Sequence, residues 1–423
     1  MPLNILIIGA GVGGPASALL LLKSNPDHQI TVIERYPELR ANGQQIDFRA
    51  QGIPMMRKLG LLDAVKAKTV GERGFEMYDR NGKRYASVEA NTSGKGRQGF
   101  TSEYEIMRGD IVNLLYEESM KESEKARGKG GITYEFGKTM TGLTQDEAGV
   151  DVTFSDGNKG RYDLVIGADG QQSRTRQQMF GKEASDASFK FIGVYAAFYS
   201  IPPKPYDADF AKSMHIPGGR LIMTRPSKPD LTGVYLLSLP GPGTQSEKLE
   251  ASLREPVEKQ KEVWTKLFAG TGWQTDRLLQ EMQTSDDFYS FSMAQVKLEH
   301  IVKGRVALIG DSGYVPSPAT GMGSTLAVMG SYVLAGELAR HHDDVPEALR
   351  AYDEVMRPYI AESHYLGPGF PWILFPKSSF AISMLYWFTW IVTMLRIDKL
   401  FSRLVPETSG SWSPPDYPEL KLD

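Results

Sequence analysis

The chain has 423 residues, 41 % hydrophobic and 23 % charged, which excludes wholesale disorder and fits two or three domains or one large α/β unit. Its 48 Lys+Arg against 51 Asp+Glu leave a net charge of -3, an argument against nucleic-acid binding through a general basic field. There is no cysteine, and the six histidines form no HxxH or HxxxH pair, so disulfides, thiolate chemistry and a metal centre are not expected.

Leu3–Ile8 is a short apolar run without a basic flank, and it reads as a buried strand rather than a signal peptide. Gly13–Ser24 follows as a helix and Gln29–Glu34 as a second strand, a βαβ unit at the start. Gly52–Lys68 has amphipathic helical spacing with a break at Gly60, and Asp110–Lys125 reads as another helix. Between them, Phe75–Glu89 alternates around the turn Asp79-Arg80-Asn81-Gly82, a hairpin signal. Ile132–Phe136, Gly149–Phe154 and Tyr162–Ile166 read as strands. From Phe189 to about Lys297 the aromatic and β-branched runs Phe189–Ser200, Arg220–Thr224 and Gly233–Ser238 suggest an antiparallel sheet, with a helix at Glu258–Phe268. Arg305–Gly310 returns to the buried-strand pattern and Gly323–His341 reads as a long helix.

Gly9-Ala10-Gly11-Val12-Gly13-Gly14 satisfies GxGxxG after a strand and at the opening of a helix. Glycines there permit a tight turn and close approach of backbone N–H groups to a pyrophosphate. Glu34 closes the second strand, where a carboxylate bonds ribose hydroxyls and disfavours a 2′-phosphate; Arg35 follows it. FAD or NAD is therefore the nucleotide expected.

Two further motifs separate these. Asp163–Arg176 carries Asp169-Gly170 and Ser173 in the pattern DGxxSxxR. Arg305-Val-Ala-Leu-Ile-Gly310-Asp311 is a GD segment, followed by Pro318 and Gly321-Met322-Gly323-Ser324. With all three motifs in order, the chain resembles the class A FAD-dependent monooxygenases, the family of p-hydroxybenzoate hydroxylase and TetX, over about residues 3 to 355.

The resemblance implies an α/β fold with a Rossmann-like FAD-binding domain, an inserted antiparallel-sheet substrate domain and a C-terminal helical segment. The domain expectation is FAD-binding parts at 1–74, 101–183 and 298–360, a substrate-domain hairpin at 75–100, the substrate domain at 184–297 and the terminal segment at 361–423. It also implies that Asp311 binds the FAD ribityl chain, that Gly321–Ser324 approach the pyrophosphate, and that Asp169 and Arg176 touch FAD and the nicotinamide nucleotide. Arg40-Ala-Asn-Gly43-Gln-Gln-Ile-Asp47-Phe-Arg49 resembles the segment in which an arginine, here Arg40, contacts NADPH and an aspartate, here Asp47, contacts FAD. Arg49 and Arg108 join Gly9, Gly11, Val12, Gly13, Gly14, Glu34 and Arg35 as expected cofactor contacts. Read as isolated residues, Asp169 is also a helix-cap candidate and Arg40 and Arg49 are surface arginines.

Departures matter as well. Many members read GDAAH where this chain has Gly310-Asp311-Ser312-Gly313-Tyr314, and Thr325 stands where asparagine is frequent. No general base is therefore expected at the histidine position. The implied function is monooxygenation: NAD(P)H, either NADPH or NADH, reduces FAD, O2 is activated at the flavin, and one oxygen enters a small aromatic, polyketide or terpenoid-like substrate. Tyr195, Phe198, Met214, His215, Arg220, Met223 and Tyr235 are candidates to line the substrate site. The alternatives are a flavin dehydrogenase or reductase, and a non-catalytic lipid carrier on the same fold. The chain is expected to be cytoplasmic and a monomer or weak dimer.

Ser378–Leu395 is an uncharged run of 18 residues between Lys377 and Arg396. It is read first as a buried or bridging helix, since TetX-like enzymes bridge their domains with a C-terminal helix. Membrane-surface binding and a true span are the alternatives.

Overall fold

The computed structural model describes residues 2–40, 43–90, 104–126, 130–316, 320–342, 344–395 and 412–422. A six-stranded sheet in the order β17-β18-β11-β1-β2-β7 is built from β1 (Asn4–Ile8), β2 (Gln29–Glu34), β7 (Gly131–Phe136), β11 (Leu164–Gly167), β17 (Val302–Lys303) and β18 (Val306–Leu308). Its pairings are parallel except β17 with β18. Parallel strands covered on both faces must be apolar throughout, and four of the five residues of β1 are buried. Ile5 and Ile7 face a core made with α1 (Gly13–Ser24), α4 (Arg108–Lys125), α10 (Gly323–Arg340) and α11 (Val345–Ser363). Leu6 and Ile8 face the opposite layer, an antiparallel sheet of β8 (Met140–Gln145), β9 (Val150–Phe154) and β10 (Lys159–Tyr162), beside α5 (Arg174–Phe180). The alternation of side chains along a strand produces this division.

The second large sheet runs β16-β12-β15-β14-β13-β4-β5, from β4 (Gly74–Tyr78), β5 (Arg84–Glu89), β12 (Phe189–Ile201), β13 (Phe210–Ile216), β14 (Arg220–Lys228), β15 (Leu231–Ser238) and β16 (Tyr289–Val296). The hairpin of β4 and β5 joins it through a parallel pairing of β4 with β13, a register no local signal gives. The sequence reading omits β13, because Lys212 and Ser213 are buried within it and interrupt the apolar pattern. Lys212 Nζ is satisfied by the carbonyls of Tyr206 and Ala208. One face of this sheet is backed by α7 (Thr244–Ser252), α8 (Val257–Phe268) and α9 (Thr275–Thr284), packed through Tyr195, Ala197, Tyr199 and Met214.

A two-stranded ribbon of β3 (Gln45–Asp47) and β6 (Glu105–Met107) meets the other face. Three contacts fix it there. Tyr289 donates to Gln44 Oε1 at 2.7 Å, Ser227 Oγ donates to Met107 Sδ at 3.2 Å, and Arg225 bonds Glu105 at 2.5 Å and Glu72 at 2.8 and 2.9 Å. The helices α2 (Gly52–Lys58) and α3 (Leu62–Ala67) follow the ribbon's first strand, split at Gly60 as expected. A short α6 (Lys182–Ser188) leads from α5 into β12.

The terminal segment corrects the sequence reading. Ser379–Met394 is a helix, α12, but it is not buried: it packs on β5 and β13 of the second sheet by one side only. Ile382 and Tyr386 are its buried residues, packed on Met77 and Ala86 of the β4–β5 hairpin. Its apolar bulk faces outward, with Phe380, Met384, Trp387, Phe388 and Met394 exposed. The buried part of the C-terminus lies further on. Trp412, Tyr417 and Leu420 join the core of α1, α10 and α11, where Trp412 stacks on Tyr359 at 4.0 Å between centroids. Among the described residues, no helix is long and apolar enough to cross a membrane.

Candidate active site

The glycine turn follows β1 and opens α1. Gly9 has φ +106°, and a Cβ there would lie 2.5 Å from the Ala168 carbonyl oxygen; on Gly14 it would lie 2.0 Å from the Gly9 oxygen. Both positions require glycine for the turn to close against the β11 strand end. The α1 N-terminus has no side-chain cap and no acid in its first turn, and the same holds for α10. Two helix starts with open N–H groups make a favourable environment for an anion.

Glu34 is tied to this turn. Its two carboxylate oxygens accept from Ala10 N at 2.8 Å and Tyr36 N at 3.1 Å, which fixes the carboxylate at the strand end. Each oxygen keeps acceptor capacity for a ribose hydroxyl. Arg35 and Arg40 lie on the Tyr36 ring, at 4.8 and 5.1 Å from its centroid, and both donate to its hydroxyl. Both arginines are exposed.

Arg108 stands at the first position of α4, its N–H bonded to Gln44 O at 3.2 Å. Its Nη2 would be 3.5 Å from a Cβ on Gly11, and its Cδ 3.2 Å from one on Gly43, so the side chain lies between the glycine turn and the Arg40–Arg49 segment. Its positive charge acts on both the Asp311 carboxyl and the Tyr289 hydroxyl. Asp311, in a 3-10 turn at Gly310–Ser312, is open on one side, but desolvation by the surrounding protein raises its carboxyl above the usual range, against the Arg108 charge. Among the described residues no donor meets this carboxylate. A Cβ on Gly323 would be 3.7 Å from Asp311 Oδ1, which sets the carboxylate at the start of α10.

Asp47 and Arg49 form an ion pair, and the Arg49 side chain reaches the Gly321 turn, 3.2 Å from a Cβ placed there. Arg49 is thereby a paired residue of the crevice rather than a free surface arginine. Thr325 explains its own departure from the family pattern: its hydroxyl bonds Arg49 N at 3.2 Å and Arg49 O at 3.3 Å, pinning this loop to α10. Ala41, Asn42 and Pro318 lie outside the described residues.

The DG segment is held by hydrogen bonds within the protein. Asp169 backs on to Gly9, and its carboxylate accepts from Ser173 Oγ, Thr175 N and Thr175 Oγ1 at 2.6 to 3.0 Å, supporting the start of α5, whose N-cap is Ser173. Arg176 is buried and donates to Ser185 Oγ, Ser312 O and Gln171 O, so it braces the Asp311 turn from behind. At the histidine position of GDAAH, Tyr314 is fully buried and bonded to Tyr352 Oη at 3.1 Å, with its hydroxyl pushed up to about 12 by burial. The hydroxyl therefore keeps its proton near neutral pH.

The sheet face opposite the ribbon sorts the substrate-lining candidates. Phe198 meets Tyr235 at 5.1 Å and Tyr289 at 5.5 Å, and Tyr289 stacks on Phe291 at 5.8 Å. Met223 is in register with Tyr235 on this face. Tyr195 and Met214 are corrected to the helix-backed face, and Arg220 bonds the carbonyls of Pro217 and Leu267. His215 packs against Tyr386 of α12, and burial lowers its pKa to about 4. Tyr289, Phe291, Arg225 and Glu105 escaped the sequence reading, since nothing local marks a strand residue as facing a distant ribbon.

The residues fit FAD: a glycine turn that a Cβ would fill, two open helix starts, a strand-end carboxylate, Arg108 across the turn and an Asp311 carboxylate that no donor among the described residues meets. Comparison with known proteins agrees. The family described as FAD binding domain matches residues 3–363. The FAD-dependent monooxygenase asL6 of Sarocladium schorii is 40% identical over 429 residues, covering 100% of both chains. Monooxygenase CTB7 of Cercospora beticola is 32% identical, with 94% of each covered. The crystal structure of tetracycline destructase Tet(51) superposes with a TM-score of 0.75 at 25% identity, covering 99% of this chain and 100% of that one. The chain therefore belongs to the FAD-binding-domain family and is a flavoprotein monooxygenase of class A, with FAD as its cofactor.

Proposed function

We propose that this enzyme uses NAD(P)H and O2 to insert one oxygen atom into a small, largely apolar organic molecule of aromatic, polyketide or terpenoid-like character. The observation that carries the reading is the aromatic face of Phe198, Tyr235, Tyr289 and Phe291, set opposite the ribbon and within reach of the Arg108 charge. Bound FAD supplies the redox and oxygen-activating chemistry. Gly9–Gly14 and the α1 start would hold its pyrophosphate with Arg108, Glu34 a ribose, and Asp311 the ribityl hydroxyls. Asp47, Arg49 and Gly321–Ser324 would complete the cradle.

The remaining work of the protein is positioning and exclusion of water. The aromatic wall offers apolar surface on which a ring system stacks. The hydroxyls of Tyr235 and Tyr289 stay protonated at neutral pH, because burial raises both, that of Tyr289 to about 12, and they remain donors. Arg40, exposed and held over Tyr36, is proposed as the nicotinamide-nucleotide contact. A solved relative named for destroying tetracycline supports a small organic substrate.

The test is a substrate-library screen for stimulated NAD(P)H oxidation, with incorporation of labelled oxygen from O2 into product. Arg40→Ala is expected to retain FAD while raising KM for the nicotinamide nucleotide. Substrate-stimulated turnover without labelled product would replace the monooxygenase reaction on this site by a dehydrogenase one.

A further inference from the structure

We propose that the outward face of α12, with the turn before it, docks on a lipid surface, lying in the headgroup–acyl boundary without crossing the bilayer. Of the fourteen large hydrophobic side chains exposed among the described residues, eleven fall between Tyr365 and Leu395. Scattered exposed apolar residues are ordinary; such a concentration marks an interaction surface.

The helix is amphipathic in the inverse sense for a protein surface. At 100° per residue, Phe380, Met384, Trp387, Phe388, Met394 and Leu395 share one stripe, and each is exposed. The residues with hydroxyls lie largely toward the protein. Tyr386 donates to Tyr78 O at 2.8 Å and accepts from His215 N at 2.9 Å. Thr389 and Thr393, half-buried, return their hydroxyls to carbonyls of their own helix. A second element converges on the stripe: Trp372, Ile373 and Leu374, in a 3-10 turn, are exposed beside it, and a groove of about 400 Å³ lined by Trp372, Ile373, Phe375, Ala381 and Leu385 separates the two.

The occupant follows from what this face lacks. Protein interfaces carry about one hydrogen bond per 100–200 Å² and a polar rim that sets register. From Ser378 to Leu395 there is no charged side chain to set one. Trp and Phe on a charge-free stripe suit the interfacial zone of a bilayer, which demands no fixed partner geometry. Two basic charges stand at the margin, beside one acid, Asp79, which acts on Tyr386 and is held by Asn81 N and Lys83 N. Lys377 precedes the helix, and Lys83 lies 5.1 Å over the Tyr85 ring, which itself packs on Tyr386 at 5.3 Å. Both lysines are exposed, complementary to anionic headgroups. The 16-residue helix is about 24 Å long, short of a hydrocarbon core of about 30 Å, which suits the plane of the interface.

The experiment is sedimentation of the FAD-loaded full chain with vesicles of phosphatidylcholine alone and with one-fifth phosphatidylserine, read beside Trp fluorescence. Pelleting with vesicles, stronger on the anionic ones, and a blue shift are expected. The triple variant Trp372→Ser, Trp387→Ser, Phe388→Ser should lose at least tenfold in vesicle affinity, with flavin content unchanged because all three side chains are exposed. Lys83→Glu with Lys377→Glu should reduce only the anionic preference. A native chain that stays in the supernatant with both vesicles overturns the proposal, as does pelleting that the triple variant leaves unchanged. Self-association without lipid that the triple variant abolishes would assign the face to a second copy of the chain instead.

Discussion

Tyr289 of β16 donates a 2.7 Å hydrogen bond to Gln44 Oε1, and the Gln44 carbonyl in turn accepts from Arg108 N. The residue just before the ribbon's first strand thus connects the aromatic wall to the arginine across the glycine turn. Tyr289→Phe keeps the ring stacking and removes this bond, worth about 1 kcal/mol. FAD affinity should change little, while the KM for substrate rises more than kcat falls. An unchanged KM would show that the wall is positioned by packing alone.

Asp311→Ala deletes the carboxylate that, among the described residues, stands without a donor at the start of α10. A hydrogen bond to a charged group contributes about 1.5–3 kcal/mol, so FAD should bind roughly 10- to 100-fold more weakly in a fluorescence titration. Asp311→Asn is expected to recover part of the loss. A wild-type titration curve for Asp311→Ala would remove this residue from the cofactor site.

Glu105 gives a pH signature. Burial raises its carboxyl to about 7 despite the attraction of Arg225, with Glu72 and Asp47 adding repulsion. Its folded pKa lies above the unfolded one, so the stability it contributes is complete below pH 4.5 and declines as pH rises through 7. Glu105→Gln leaves Arg225 paired with Glu72 and should flatten that decline, seen as a smaller fall in Tm between pH 5 and 8. His215, lowered to about 4 by burial, acts in the opposite sense: its contribution is present above pH 6.5 and lost as pH falls toward 4. Parallel Tm profiles for wild type and Glu105→Gln would show that Glu105 is ionised throughout.

The two ends of the terminal segment should respond differently to substitution. Trp412 stacks on Tyr359 and donates Nε1–H to Val355 O at 3.1 Å, so Trp412→Ala is expected to cost about 3–5 kcal/mol. Trp387 is 65% exposed, and Trp387→Ser should fall within about 0.5 kcal/mol of wild type in aqueous buffer. Denaturant titrations of both variants measure the contrast. A large loss for Trp387→Ser would mean that α12 is covered in solution.

The sequence by itself determined the features whose physics is local. Gly9–Gly14 between a buried strand and a helix, Glu34 at the next strand end, and the GD turn before α10 each state their conformation within a few residues. Their order along the chain identified the cofactor class and the family. The tertiary structure alone decided which side each distant strand presents and what it meets. Nothing near Tyr289, Arg225 or Glu105 in the chain signals a ribbon on the opposite side, and Arg176 could be seen to brace the Asp311 turn only once Ser312 lay beside it. The same limit governed the C-terminus. Hydrophobicity marks Ser378–Leu395 as apolar, but burial depends on whether a complementary surface exists. The protein supplies one for Trp412, Tyr417 and Leu420, and for α12 it covers only the side that carries Ile382 and Tyr386.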